Sequence, residues 1–121
     1  MTWKGQWKNQ YGSILEITED ADNKIIGSFR TALKDSGFYG QTIPICGVCY
    51  GDCISVSGGG ATAAGDAVVC YTGLLREGKL ETLWFVCADG AIKAEVGKPG
   101  RIEKTKWWRA MQTSADAFER I

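Results

Sequence analysis

Turn signals interrupt this chain every few residues, and the stretches between them alternate apolar and polar side chains. A period of two places successive side chains on opposite faces of a strand. Gly5-Gln6-Trp7-Lys8-Asn9-Gln10-Tyr11-Gly12-Ser13 is predicted as a first strand and its turn, with Trp7 and Asn9 on one face and Gly12 returning the chain. Ser13–Thr18 is a second strand facing inward with Ser13, Leu15 and Ile17, closed by the acidic turn Glu19-Asp20-Ala21-Asp22-Asn23. Lys24–Thr31 is a third, with Ile25, Gly27, Phe29 and Thr31 on one face, followed by a loop over Leu33–Gly37. Phe38–Ile43 reads as a fourth strand stopped by Pro44, which lacks the N–H a ladder needs. Cys46–Cys49 is then a turn, Tyr50–Ser57 a weak fifth strand and Gly58–Gly65 a small-residue loop.

Ala67–Arg76 and Lys79–Ala88 form the sixth and seventh strands around the hairpin turn Glu77-Gly78-Lys79. Leu80, Thr82, Trp84 and Val86 share one face of the seventh, and Leu83 and Phe85 take the other, so this strand is buried on both sides. The outer burial in a small barrel has to come from another subunit. Asp89–Thr105 is a long charged connection, and Arg109–Arg120 is a last strand or a helix, because Trp108, Met111, Ala115 and Phe118 also fit helical spacing. Eight short strands with close turns imply an all-β chain folded as an eight-stranded antiparallel up-and-down β-barrel, with residues 1–121 as one domain. Such a barrel has an interior just wide enough for one small ligand.

The composition excludes several functions. Lys+Arg and Asp+Glu are both 14, so there is no basic footprint for nucleic acid. The sequence holds no histidine, which removes the commonest catalytic base and metal ligand. No apolar run is long enough for a transmembrane helix, so no membrane partner is expected. Gly58–Gly65 lacks the Lys and Ser/Thr of a phosphate-binding loop. The 5 cysteines are odd in number, so at least one stays free or pairs between chains. Cys46, Cys49 and Cys53 have a zinc-knuckle spacing without the second pair that zinc needs, which favours a local disulfide if the protein is exported. Cys53, Cys70 and Cys87 are expected to point out of the barrel on adjacent strands. No metal or cofactor is expected.

Asn9 and Ser13 put an amide and a hydroxyl at the end of an otherwise apolar interior. Buried polar groups need partners, so this pair either caps its own turn or waits for a ligand. The order and spacing of several short motifs resemble the avidin/streptavidin family of biotin-binding proteins over nearly the whole chain. They are Gly5 through Ser13, Gly27-Ser28-Phe29-Arg30-Thr31-Ala32, Thr72-Gly73, Thr82-Leu83-Trp84-Phe85-Val86, and Trp108 through Asp116 with Phe118. The resemblance implies a strand for the last segment, assembly into tetramers or dimers, and biotin held by its ureido group at the open end of each barrel. It implies that Asn9 and Ser13 donate to the ureido oxygen and that Thr31 and Asp116 accept from the ureido nitrogens. Trp84 would wall the pocket, Trp108 would be offered to a neighbouring subunit, and Tyr11, Phe29 and Leu33 would complete the ligand-binding set. It also implies a secreted or periplasmic protein, although no apolar signal segment follows Met1 and a cytoplasmic place stays open.

The departures from that pattern fall at the pocket. Phe29 stands where the family carries a ureido-binding Tyr, Val56 where a pocket Trp is expected, and Tyr71 where another Trp is expected. Ala67 and Val69 replace a Ser and a Thr that would meet the valeryl carboxylate and the ring sulfur; Lys34 or Ser36 could substitute. The reading is therefore a non-enzymatic homo-oligomer binding biotin, with reduced affinity, or a biotin-like small molecule. The rival readings are a lipocalin-like carrier of another apolar ligand and an enzyme, the latter opposed by the absence of a paired acid and base.

Overall fold

The computed structural model describes residues 2–121, and of residues 93–95 the backbone alone. Ten strands run in chain order: β1 (Gly5–Asn9), β2 (Ile14–Glu19), β3 (Lys24–Arg30), β4 (Ile43–Tyr50), β5 (Cys53–Thr62), β6 (Gly65–Arg76), β7 (Lys79–Ala88), β8 (Gly90–Glu95), β9 (Lys98–Lys104) and β10 (Met111–Arg120). Eight of them close an antiparallel barrel in the order β1-β10-β7-β6-β5-β4-β3-β2, and β8 and β9 pair as a separate hairpin. Every neighbour in the barrel except the β1–β10 and β10–β7 pairs is also a neighbour in sequence, so short turns build most of the wall.

The inward faces follow the alternation of the sequence. Ser13, Leu15 and Ile17, then Ile25 and Phe29, then Leu80 and Thr82 are all buried. Ile25, Leu80 and Phe118 are fully removed from solvent and anchor the closed end of the core with Trp7 and Leu15. The indole N–H of Trp7 donates to the Trp3 carbonyl at 3.0 Å, and the two rings lie 5.7 Å apart. Asp20 ties down the same end: its carboxylate accepts from the Trp3 N–H at 2.7 Å and from the Thr2 hydroxyl at 2.8 Å.

The middle of the chain differs from the sequence expectation. Phe38–Ile43 is not a strand: residues 32–42 are turns, and the strand begins at Ile43 and continues through Pro44 and Cys46–Cys49 to Tyr50. Pro44 sits at the second position of β4, and the register with β5 starts only at Ile45, opposite Gly58. A missing N–H is tolerated at such a position. Gly58–Gly65 is not a free loop either, since β5 runs to Thr62 and turns through residues 63 and 64. The glycines let the strands close up: a Cβ on Gly58 would meet the Pro44 carbonyl oxygen at 2.5 Å. The turn between β4 and β5 is at Gly51-Asp52. Asp89–Thr105 contains the β8–β9 hairpin, and residues 107–109 form a short 3-10 turn ahead of β10.

The outer face of β4, β5, β6, β7 and β10 has an unusual composition. The register aligns Val48, Ser55, Thr72, Leu83 and Ala115 in one row, and Cys46, Ser57, Cys70, Phe85 and Thr113 in the next. Neither row holds a charge, and Val48, Leu83 and Phe85 are exposed. Cys53, Cys70 and Cys87 lie on this outer side as the alternation predicts, whereas Cys49 points into the core. Cys46 and Cys49 thus occupy opposite faces of one strand and cannot form the local disulfide expected of a loop.

Candidate functional site

The polar groups of the interior gather where β1, β2 and β10 meet. Asn9 ends β1, and the backbone turns at once: the Gly12 N–H donates to the Asn9 carbonyl at 3.1 Å. The side-chain oxygen of Asn9 accepts from the Tyr11 N–H at 3.0 Å and the Ser13 N–H at 2.9 Å. Its amide nitrogen donates to the Asp116 carboxylate at 3.1 Å. Asn9 therefore both caps its turn and reaches the late aspartate, and one amide proton remains free to donate.

Asp116 is drawn in because it shares a strand face with Phe118, and it is only 6% exposed. Its second oxygen accepts from the Gln10 amide at 3.0 Å, and the Gln10 carbonyl oxygen accepts from the Ala117 N–H at 3.1 Å. Thr82 on β7 donates its hydroxyl to the Asp116 backbone carbonyl at 2.8 Å. The carboxylate is thus positioned through both its main chain and its side chain.

Ser13 and Thr31 adjoin this pair. The Ser13 hydroxyl oxygen accepts from the Ala32 N–H at 2.9 Å, which leaves its own proton available to a ligand acceptor. The Thr31 hydroxyl accepts from the Leu33 N–H at 3.1 Å, so one lone pair and its proton remain. A hydroxyl carries one donor and two acceptor sites. The chemistry of the set is a donor pair (Asn9, Ser13) beside acceptors (Asp116, Thr31). That pattern complements a small group with one strong acceptor flanked by N–H donors.

Aromatic and aliphatic side chains enclose the set. Phe29 and Tyr71 lie with ring centroids 5.3 Å apart, and Tyr71 meets Phe118 edge-on at 5.5 Å. Trp84 is half-buried on the inner face of β7, opposite Tyr71. Val56, Ala67 and Val69 are buried and offer no hydrogen-bonding side chain. Burial, the charge of Asp116 and hydrogen bonding to it push the Tyr71 phenol well above its ordinary range.

The structure brings Asn9, Ser13, Phe29, Thr31, Trp84 and Asp116 to one interior region. It does not bring in Tyr11, Leu33 or Trp108, which are exposed by 57%, 39% and 58%. Trp107 and Trp108 are both exposed in the 3-10 turn, their rings 6.1 Å apart. Lys34 is exposed, and the Ser36 hydroxyl accepts from the Phe38 N–H.

Three participants escape the sequence argument. Gln10 belongs to a turn, where the strand period no longer tells which way a side chain points. Tyr71 is legible as an inward residue but not as a neighbour of Asp116. Phe38, expected in a strand, instead drops its ring from the β3–β4 loop into the core, beside Gly60. Two depressions, of about 530 and 800 Å³, lie on the outer face and not in the barrel. They are open grooves lined mainly by apolar side chains, without the convergent polar groups found beside Asn9.

The fold is a closed eight-stranded antiparallel barrel with a polar cluster buried in its interior. The chain belongs to the avidin family, whose family model matches residues 1–121. Among solved structures, the bradavidin2–biotin complex is 16% identical with a TM-score of 0.72, covering 100% of this chain and 99% of that one. The rhizavidin–biotin complex is 20% identical with a TM-score of 0.71, covering 99% and 92%. A shwanavidin variant in complex with biotin is 20% identical with a TM-score of 0.74, covering 100% and 99%. A search of curated protein sequences finds no match.

Proposed function

We propose that this barrel binds biotin, or a closely related cyclic urea, without transforming it. The observation that carries the reading is the direct Asn9–Asp116 hydrogen bond, with Ser13 and Thr31 beside it, in a chain of the avidin family. A urea presents one oxygen acceptor and two N–H donors. The free protons of Asn9 and Ser13 suit the oxygen, and Asp116 and Thr31 suit the nitrogens. Solved relatives of this fold are described as biotin complexes. Among the described residues no nucleophile is paired with a base at this cluster: the sequence has no histidine, and the Ser13 oxygen accepts from a backbone N–H.

The test is calorimetric titration of the protein with biotin beside an Asp116→Ala control. One biotin per chain, with binding weakened in the variant, is the expected result. No heat at high biotin concentration would overturn the reading. It would favour a carrier of another apolar ligand, to which Phe29, Val56 and Val69 are suited by burial and by lack of polar atoms.

We further infer that the barrel works as a homo-oligomer, a dimer or tetramer, through the two uncharged rows on the outer face of β4 to β7 and β10. Contiguous exposed apolar surface of this kind marks an interaction site. Trp108, exposed at the end that carries the β1–β2 and β3–β4 connections, is the residue available to a neighbour's pocket. Tyr11 and Leu33 would line the mouth beside it.

A further inference from the structure

Charge is balanced over the whole chain but not within it. Residues 90–109, the β8–β9 hairpin and the 3-10 turn after it, hold 6 of the 14 cations and only 2 of the 14 acids. That segment is therefore +4 and the rest of the chain −4. The overall zero hides a basic appendage on an acidic barrel.

The appendage is anchored at its base and bare beyond it. The Asp89 N–H donates to the Asp66 carbonyl at 2.8 Å, and the Thr105 N–H donates to the Asp89 carbonyl at 2.8 Å. Gly90 sits so close to the β5–β6 turn that a Cβ there would overlap the Ala64 carbonyl oxygen. Past this base, β8 and β9 pair only with each other. Ile92 and Ile102 stand directly opposite in the ribbon, 56% and 61% exposed, and Val96 at its tip is fully exposed. A two-stranded ribbon is marginal in water by itself, so an aliphatic pair and tip left bare on one point to a surface that covers them. Beside the base, Lys104, Lys106, Trp108 and Arg109 converge on a cleft of about 340 Å³, with the Lys106 ammonium 5.3 Å from the Trp108 ring centre. Trp107 turns outward, 72% exposed.

We propose that this appendage is a peripheral docking surface for a bilayer that carries anionic headgroups. Charge complementarity selects the partner: basic groups are drawn to an anionic lipid surface within a Debye length. Tryptophan settles at the headgroup level, where one side of its ring is apolar and the other wet. The aliphatic tip then enters the acyl boundary. That tip separates lipid from nucleic acid. A nucleic acid would use the cations for phosphate and Trp107 for stacking, but it has no use for Ile92, Val96 and Ile102. Attachment is peripheral, since no helix among the described residues is long and apolar enough to cross a membrane. The hairpin follows β7, at the end that also carries the β1–β2 and β3–β4 connections. Docking therefore brings the polar end of the barrel to the lipid surface. The inference does not depend on which ligand the barrel holds.

Arg101 and Lys104 are paired with Glu103 and Asp89, whereas Lys106 and Arg109 stand outside these pairs and are exposed, so they are the charges to reverse. The experiment is cosedimentation of the full chain with vesicles of roughly two parts phosphatidylcholine to one part phosphatidylglycerol, beside vesicles of phosphatidylcholine alone. Binding to the mixed vesicles alone, weakening as salt rises, is the expected result. The double variant Lys106→Glu, Arg109→Glu should bind roughly 10- to 100-fold more weakly, at about one factor of five to ten per charge. Val96→Ser should weaken binding severalfold without changing the salt dependence. Brominated lipid should quench a part of the tryptophan emission that Trp107→Phe removes. All these positions are exposed, and circular dichroism checks that each variant folds. No cosedimentation at low salt, or equal binding to both vesicle types, would overturn the proposal. So would tight binding to single-stranded DNA that needs Lys106, Arg109 and Trp107 but not Val96, which would make nucleic acid the partner. Pelleting without vesicles, abolished by the charge reversals, would overturn it in favour of the acidic barrel of a second copy.

Discussion

Asn9 both caps its turn and reaches the late aspartate, because an amide has two ends. Its oxygen closes the turn and its nitrogen reaches Asp116 across the β1–β10 seam. Removing it therefore costs local order as well as recognition, whereas Asp116→Ala takes away recognition with less damage to the turn. Hydrogen bonds to charged groups contribute about 1.5–3 kcal/mol, so Asp116→Ala is expected to weaken biotin binding roughly 10- to 150-fold. Calorimetry beside circular dichroism checks that the fold survives. At the core, Leu80→Ala opens a cavity at a fully buried site. Urea unfolding should show a loss of about 2–5 kcal/mol. The apolar character of Ala67 and Val69 adds a third expectation. With no donor from these two positions for a carboxylate, biotin and its methyl ester should bind within a fewfold of each other; a large preference for the free acid would show that a loop group such as Lys34 has taken that task.

Among the elements, the strands are held in register by close approach as much as by side-chain pattern. A Cβ on Gly47 would lie 1.8 Å from the Ser55 carbonyl oxygen, and one on Gly27 would lie 1.9 Å from that of Glu16. Gly47→Ala should cost several times more stability in thermal melts than Gly40→Ala, where no atom lies within 4 Å and only the positive φ is strained. The N-terminal segment depends on pH. Hydrogen bonds from the Thr2 hydroxyl and the Trp3 N–H hold the Asp20 carboxyl below its ordinary value of 3.8. A depressed folded-state value means the contribution is present above that ordinary value and is lost as pH falls through the folded one. Amide exchange at Trp3 and Lys4 should accelerate in that acid range, and Asp20→Asn should remove the pH dependence. The sequence showed β1, β2, β3, β6 and β7 well because their alternation is regular. It misplaced β4 and β5 because Pro44 and the glycine run look like breaks when their neighbours in the sheet are unseen.

For the molecule as a whole, the uncharged rows on β4, β5, β6, β7 and β10 are the main unspent apolar surface. Phe85 lies near the middle of them, between Cys70 and Thr113. Phe85→Lys should leave each barrel folded while shifting the assembly toward monomer, read by light scattering after size exclusion. A wild-type protein that is already monomeric at working concentration would sink the oligomer. The cysteines on this face would serve there as small apolar residues. The same substitution should also lower biotin affinity if Trp108 completes a neighbour's pocket, because the neighbour would no longer be present.

Sequence by itself determined the things that depend on period and residue type. These are an all-β chain, the inward faces of most of its strands, and an Asn9–Ser13 pair at the polar end of the interior; the strand character of the last segment and the part of Asp116 came only as what the resemblance implies. A local pattern is enough for these because strand period fixes face, and face fixes burial. Tertiary structure decided what depends on distance between separate segments. It continued β4 through Pro44 and β5 through the glycines, built the β8–β9 hairpin, lowered Phe38 into the core and turned Gln10 toward Asp116. The physical reason is closure: when β1 meets β10, residues more than a hundred positions apart become hydrogen-bond partners, and no local pattern encodes which ones.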